Sequence, residues 1–367
     1  MHSLRFRELA SSRGPFASIY FDDSHDTQDA ADQLDAKWHD LRRDLEHQGA
    51  DAGVIASLEK AILDARPPVG RSGRGLVAGT DGVLVNEHLD GPPVATVVRV
   101  SELPYIVPLV QDGAEHNTYT VVAVDHVGAD VKLYRRGTVQ SHTVEAGGYP
   151  IHKSSAADNA GYGDPQQRTN AIVRKNIHAV TDYLTTQLDE TGPEVVFVVG
   201  QVRSRAELIS QLPKRVAARV VELHAGERRT GVNDEVRQAI DAEFERRRQA
   251  AIGDAAERFQ AEKGRGSGHA VEGLVQVCAA LREGAVETLI IGDLGDATLV
   301  TADDLTTLAP SPDVLSEFGA APTHTVRADE ALPFAAISID ASLVRAGDRF
   351  EPADGIAALL RYPLATA

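Results

Sequence analysis

The chain has 367 residues, 43% hydrophobic and 25% charged, with a formal net charge of -17. That length supports two or three domains with proper cores, and the single cysteine, Cys278, excludes an intramolecular disulfide and a multi-cysteine metal site. No stretch approaches the ~20 apolar residues needed to span a bilayer, and the opening Met1–Arg7 lacks an apolar signal core, so the expected setting is the reducing cytoplasm.

The first third, 1–117, carries a net -8. It opens on a strand, Ala17–Phe21, ended by Asp22 and Asp23. Leu34, Trp38, Leu41 and Leu45 recur at helical spacing and predict one long amphipathic helix from about Thr27 to Ala65, stopped by Pro67 and Pro68. The short apolar runs Gly75–Ala78, Gly82–Val85 and Val94–Val98 predict a small sheet, and polar Asp112–Asn117 reads as a linker.

The middle third, 118–231, carries +2. Thr118–Asp125, a turn at Gly128–Asp130 and Val131–Tyr134 form a hairpin, and Val139–Val144 adds a third strand. Glu145 to Asp164 has no apolar periodicity, and a loop of that length inside a compact domain is a signal of function or disorder. Asp164, Pro165 and Gln167 form a capping-box-like helix start. Val173, Ile177, Val180, Leu184 and Leu188 then make one apolar stripe, with Arg168 and Lys175 on the opposite face. A buried strand Val195–Gly200, a helix near Ala206–Leu212 and a strand Arg219–Val221 complete an α/β pattern.

The last third, 232–367, carries -11. A charged helix from Asn233 to Glu262 ends in the turn Gly264–Gly268. A helix Ala270–Leu281, strands Val286–Ile291 and Ala335–Ile339, and a helix Gly355–Arg361 are expected after it. The basic segment between two acidic ones hints at a polyanion contact confined to the middle third; ordinary variation on a soluble surface gives the same counts.

Three candidate sites have simpler readings. Gly264–Gly268 has no Gly-Lys-Ser/Thr ending and joins helix to helix, so it reads as a helix-ending turn rather than a phosphate loop. Asp22, Asp23, His25 and Asp26 lack the glycine and distal glutamate of a calcium loop and read as a solvated strand end. Cys278 lies among apolar residues and reads as a buried, inert thiol. The loop 145–168 is different. Its glycines, Gly163 among them, permit close backbone approach. Tyr149, His152 and Tyr162 offer stacking surfaces, and Lys153 and Arg168 offer phosphate contacts. The alternative is an ordinary surface loop.

The order of elements from Tyr119–Asp125 through Lys132–Tyr134, the loop and the helix from Pro165 resembles the middle domain of the archaeal and eukaryotic class-one release factors and of Pelota. Gly268–Leu274 followed by Ala279–Ile291 resembles that family's C-terminal ribosomal-protein-like domain. Over essentially the whole chain the sequence is most similar to the bacterial release-factor-like family, which includes actinobacterial members and the hibernation factor Balon. The resemblance implies a three-domain α/β architecture with mixed sheets and flanking helices. Its parts would be an N-terminal domain 1–117 on the decoding-centre side, a middle domain 118–231 with a peptidyl-transferase-centre loop at 145–168, and a C-terminal domain 232–367. It further implies binding at the A site of the 70S ribosome through large- and small-subunit rRNA, together with elongation factor Tu. Tyr149, His152, Lys153, Tyr162, Gly163, Gln166, Gln167, Arg168 and Lys175 are then the expected RNA contacts. The family's Gly-Gly-Gln is absent: Tyr162 separates Gly161 from Gly163, and Gln166 and Gln167 follow the helix start. The codon-reading Asn-Ile-Lys-Ser is also missing from the first third. The expectation is therefore a ribosome hibernation factor, not an enzyme, without cofactor or metal and with no membrane or DNA partner. A rescue factor or peptidyl-tRNA hydrolase using Gln166 or Gln167, and an α/β interaction protein with no ribosomal role, are the alternatives.

Overall fold

A computed structural model describes residues 6–25, 30–65, 71–89, 91–113, 118–135, 138–145, 165–226, 228, 232–348 and 350–364. The chain divides into two compact units: Met1–Ala114 with Arg248–Ala367, and Glu115–Arg247.

The first segment contains α1 (Arg7–Ser11), β1 (Phe16–Asp22), α2 (Ala30–His47), α3 (Ala52–Leu63), β2 (Gly73–Gly79), β3 (Gly82–Leu89), β4 (Val97–Ser101) and α4 (Val107–Asp112). Its antiparallel sheet has the order β3-β2-β1-β4. Ile19, Phe21 and Leu76 on one face bury Trp38, Leu41, Leu45 and Leu58 of α2 and α3. The single helix expected over 27–65 is in fact two. The Ala50 N–H donates to Leu45 O at 3.0 Å and the Gly49 N–H to Glu46 O at 3.1 Å, with Gly49 at φ +80. This Schellman closure ends α2, because the left-handed residue needs no Cβ. Asp51 then accepts the Gly53 N–H at 2.7 Å and restarts the helix.

The middle segment contains β5 (Tyr119–Val124), β6 (Ala129–Arg135), β7 (Thr138–Val144), α5 (Pro165–Thr191), β8 (Val195–Gly200), α6 (Val202–Gln211), α7 (Lys214–Ala217) and β9 (Val220–Glu222). The sheet order is β7-β6-β5-β8-β9; β5, β8 and β9 run parallel, and β6 and β7 are antiparallel additions. The stripe Ile177, Val180, Leu184 and Leu188 packs on Val122, Val124 and Val131. The opposite sheet face buries Val121, Phe197 and Val199 against Val236 and Ile240.

Those last two residues open α8 (Asp234–Arg265), whose later part packs Ile252 and Phe259 on Ile290 and Leu359. It is followed by β10 (Ala270–Glu272), α9 (Leu274–Arg282), β11 (Val286–Ile291), β12 (Thr298–Thr301), β13 (Leu308–Ala309), α10 (Pro312–Glu317), β14 (His324–Arg327), α11 (Ala328–Ser338), β15 (Ser342–Arg345) and β16 (Ile356–Leu360). Two further sheets result, β10-β16-β11-β15 and β13-β12-β14.

Three expectations for this segment are corrected. Ala270–Leu281 is a strand and then a helix: Gly273, at φ +83, turns the chain, and Asp354 accepts the Leu274 N–H at 3.1 Å. Ala335–Ile339, read as a strand, is the end of α11 and the residue after it. All ten residues Ala328–Ile337 are buried, and a helix buried all round loses the periodicity that would reveal it. Gly355–Arg361, read as a helix, holds β16, paired with β10 on one side and β11 on the other; pairing on both edges overrides the helix propensity of its Ala and Leu residues. Among the described residues no helix is long and apolar enough to cross a membrane.

Candidate functional site

The site is built at the open end of β7 and at α5, which bracket the loop singled out in the sequence. Asp125, at the end of β5, accepts the N–H groups of Val127 at 2.8 Å and Gly128 at 3.0 Å and so shapes the turn into β6. Gly128 is required by close approach: a Cβ there would lie 2.1 Å from Val144 O. One guanidinium ties the turn to the loop entrance. Arg228 meets Asp125 at 3.0 Å, Asp130 at 3.3 Å and Glu145 at 2.7 Å. Burial acts to lower its pKa, and the bonds from Glu145, Asp125 and Asp130 outweigh it and hold the guanidinium above its ordinary value. Burial likewise pushes the Asp125 carboxyl up, and the Val127 and Gly128 N–H groups with Arg228 outweigh it and leave it below the usual range. The loop therefore leaves β7 from a fixed point.

On the return side, α5 is fastened to the same turn by Asn176, whose amide donates to His126 O at 3.1 Å. The His142 ring of β7 lies on the Tyr183 ring of α5, with centroids 4.6 Å apart and planes 8° apart. Arg174, Lys175 and His178 are exposed on α5. His178 meets Asp182 at 3.7 Å. Among the described residues Arg174 and Lys175 have no carboxylate partner.

Of the expected RNA contacts, Lys175 is where the periodicity put it, on the exposed face of α5. Gln166, Gln167 and Arg168 lie on the helical backbone of α5, which begins at Pro165; their side chains are outside the described residues. Tyr149, His152, Lys153, Tyr162 and Gly163 also lie outside the described residues. Sequence reasoning missed Arg228, Asn176 and the His142–Tyr183 pair. The Asp125-x-x-Gly128 turn was a local signal for one end of the Arg228 network; the rest depends on strand register.

The other candidates resolve differently. Gly266 and Gly268 take positive φ at the end of α8, a helix-ending turn as expected. Cys278 is fully buried, and burial pushes its thiol up to about 12. The strand end at Asp22 is not simply solvated. Asp23 is buried, with Arg74 at 3.7 Å and His25 at 3.3 Å, and its N–H donates to Ser72 O at 3.0 Å beside the start of β2; Asp26 lies outside the described residues. Among the described residues no group of three or more His, Cys, Asp or Glu could hold a metal ion.

Residues 118–265 match the model of bacterial archaeo-eukaryotic release factor family 2. Two uncharacterized proteins of Mycobacterium tuberculosis, from strains CDC 1551 / Oshkosh and ATCC 25618 / H37Rv, are each 53% identical over 363 residues, covering 99% of this chain and 97% of theirs. Similar solved structures include the archaeal translation termination factor aRF1 (16% identity, 97% of this chain and 96% of that one, TM-score 0.24). Archaeoglobus fulgidus Pelota is another (15%, 80% and 80%, TM-score 0.36), as is a model of ribosome-bound archaeal Pelota and ABCE1 (16%, 99% and 94%, TM-score 0.43).

Proposed function

The chain belongs to the bacterial archaeo-eukaryotic release factor family, and from that premise we propose that it binds the A site of the 70S ribosome and holds the ribosome idle. The observation that carries this reading is the coincidence, inside the family-matched segment, of a loop clamped at its entrance by Arg228 and a helix that follows it with exposed cations that have no carboxylate partner among the described residues. The mechanism is steric. The loop 145–168 faces the peptidyl-transferase centre, the first third faces the decoding region, and aminoacyl-tRNA is excluded from both. Elongation factor Tu accompanies the protein to the site. No hydrolysis takes place: water activation at the peptidyl ester needs a positioned donor set, and Gln166 and Gln167 lie on regular helix after Pro165.

Co-sedimentation with 70S ribosomes tests the reading. The parent chain is expected to bind ribosomes with a vacant A site, to be displaced by A-site tRNA, and to lose affinity when residues 149–163 are replaced by a short Gly-Ser linker. Equal binding to vacant and tRNA-filled ribosomes would refute A-site occupancy. Unchanged affinity of the loop variant would remove the loop from the mechanism.

A further inference from the structure

We propose that the edge strand β7 carries a stacking platform for an unpaired RNA base, with the His142 imidazole as its surface and Lys175 as a phosphate contact. The inference deepens the ribosome-binding reading and rests on it for the choice of RNA.

The platform follows from register. His142 pairs with Val131 across the β6–β7 ladder. Val131 packs with Ile177, Val180 and Leu184, so His142 lies on the sheet face that α5 covers. β7 is the sheet's outer strand, at the margin of the face that α5 covers, and six of its seven residues are exposed. Natural edge strands are usually blunted by Lys, Pro or a covering element. Thr138–Val144 carries no Lys, Arg, Asp, Glu or Pro, so nothing in its own sequence repels an approaching partner.

On that edge the imidazole lies flat on Tyr183. Tyr183 supports one face of the imidazole, and His142 as a whole remains exposed. A third aromatic plane extends such a pile without moving the first two, and a nucleobase supplies one whatever its identity. The support is stiff. Tyr183 stands on a helix whose stripe is buried, and Asn176 ties that helix to the β5–β6 turn.

The charge along α5 is graded. Lys175 lies eight residues, about 12 Å along the helix axis, to one side of Tyr183 and is exposed, whereas Glu190 lies seven residues to the other side and acts on the Tyr183 hydroxyl. A strand of RNA with one base on His142 would run its backbone toward Lys175 and away from Glu190. An extended peptide would instead pair along the β7 backbone and would have no use for the aromatic pile.

The test uses the full chain, a fluorescein-labelled single-stranded hexa-adenylate and the same sequence in duplex form. Binding is read by anisotropy, with 70S co-sedimentation in parallel. The parent should prefer the single strand. His142→Ala should weaken oligonucleotide binding at least about fivefold, the low end for loss of one stacked base. His142→Phe, which keeps a flat ring and tests folding, should stay within about twofold of the parent. Lys175→Gln should weaken binding and reduce its salt slope by about 1. Parent-like affinity of His142→Ala, equal loss in the Ala and Phe variants, or no binding of the single strand by the parent overturns the platform. If His142→Ala matches the parent on oligonucleotide and ribosome alike while the parent sediments with ribosomes, only the platform falls. If oligonucleotide binding depends on His142 and ribosomes are not bound, only the ribosome reading falls.

Discussion

Replacing Arg228 by Met should loosen the loop entrance and destabilise the middle unit by about 2–3 kcal/mol. Removing one partner of a fully buried pair costs about 3–5 kcal/mol, whereas an exposed pair is worth about 0–1 kcal/mol. The Arg228 side chain is 11% exposed, and its partners Asp125, Asp130 and Glu145 are 22%, 39% and 51% exposed. The Asp125 contact lies nearer the buried limit and the Glu145 contact nearer the exposed one, which brings the total between the two. The effect has a pH signature. The folded-state pKa of Asp125 is below its ordinary value, so its contribution is fully present above the unfolded value near 4. It is lost as the pH falls through the depressed folded value. Hydrogen exchange at Val121–Val124 and Val131–Leu133 reads this unit directly. The only tryptophan, Trp38, lies in the other unit and serves as an internal control. Arg228→Met should lower protection of β5 and β6 at pH 7, by a margin that shrinks as the pH is taken toward 3, with Trp38 fluorescence unchanged. Protection equal to the parent at pH 7, or a loss independent of pH, would refute the anchor.

Three other outcomes are expected. Arg168→Glu combined with Lys175→Glu should weaken ribosome binding and reduce its salt slope by about 2, while shifting stability by only ~0.5 kcal/mol or less per site; a salt slope equal to the parent's would mean this face does not meet RNA. The purified chain should release no peptide from programmed ribosomes, with or without a stop codon, and Gln166→Ala with Gln167→Ala should leave ribosome occupancy intact. Peptide release by the parent that this double substitution abolishes would replace hibernation by a rescue enzyme. Cys278, buried and with its thiol pushed up to about 12, should resist a disulfide reagent at pH 8 in the native protein and react fully in denaturant; fast native labelling would contradict its burial.

Elements bounded by local punctuation were legible in the sequence. β1, β5, β8 and β11 are apolar runs closed by Asp or Gly, and α5 begins where Asp164-Pro165 announces it. What failed was decided by partners far along the chain. Nothing local tells Ile356–Leu360 that β10 and β11 wait on its two sides. Nothing in Ala335–Ile339 separates a buried helix from a buried strand. The break between α2 and α3 is the local exception: it rests on Gly49 and the Asp51 cap, two positions inside an otherwise helical pattern. The candidate site divides in the same way. Lys175 followed from the apolar stripe opposite it. Arg228 did not, because its three carboxylates stand 83 to 103 residues away and meet only once the strand register is set.

A chain at -17 can still meet a polyanion through cations that no carboxylate engages. In the last third the described basic side chains are largely committed: Arg258 to Glu287, Lys263 to Glu272, Arg265 to Glu262, Arg327 to Asp296 and Asp329, Arg345 to Asp348. In the middle unit Arg228, Arg205 and Arg215 are committed. Arg174, Lys175, Arg203 and Lys214 are exposed there without a carboxylate partner among the described residues. A paired guanidinium has little charge left for a phosphate, and an acidic surface repels one over roughly the 8–10 Å Debye length of physiological salt. Arg13, Lys60 and Arg71 in the first third and Arg135 in the middle unit are likewise exposed without a carboxylate partner among the described residues, and on the proposed reading attraction to RNA would fall on such cations. On the proposed ribosome-binding reading, net charge would act against non-specific RNA binding and local charge would select the face that binds.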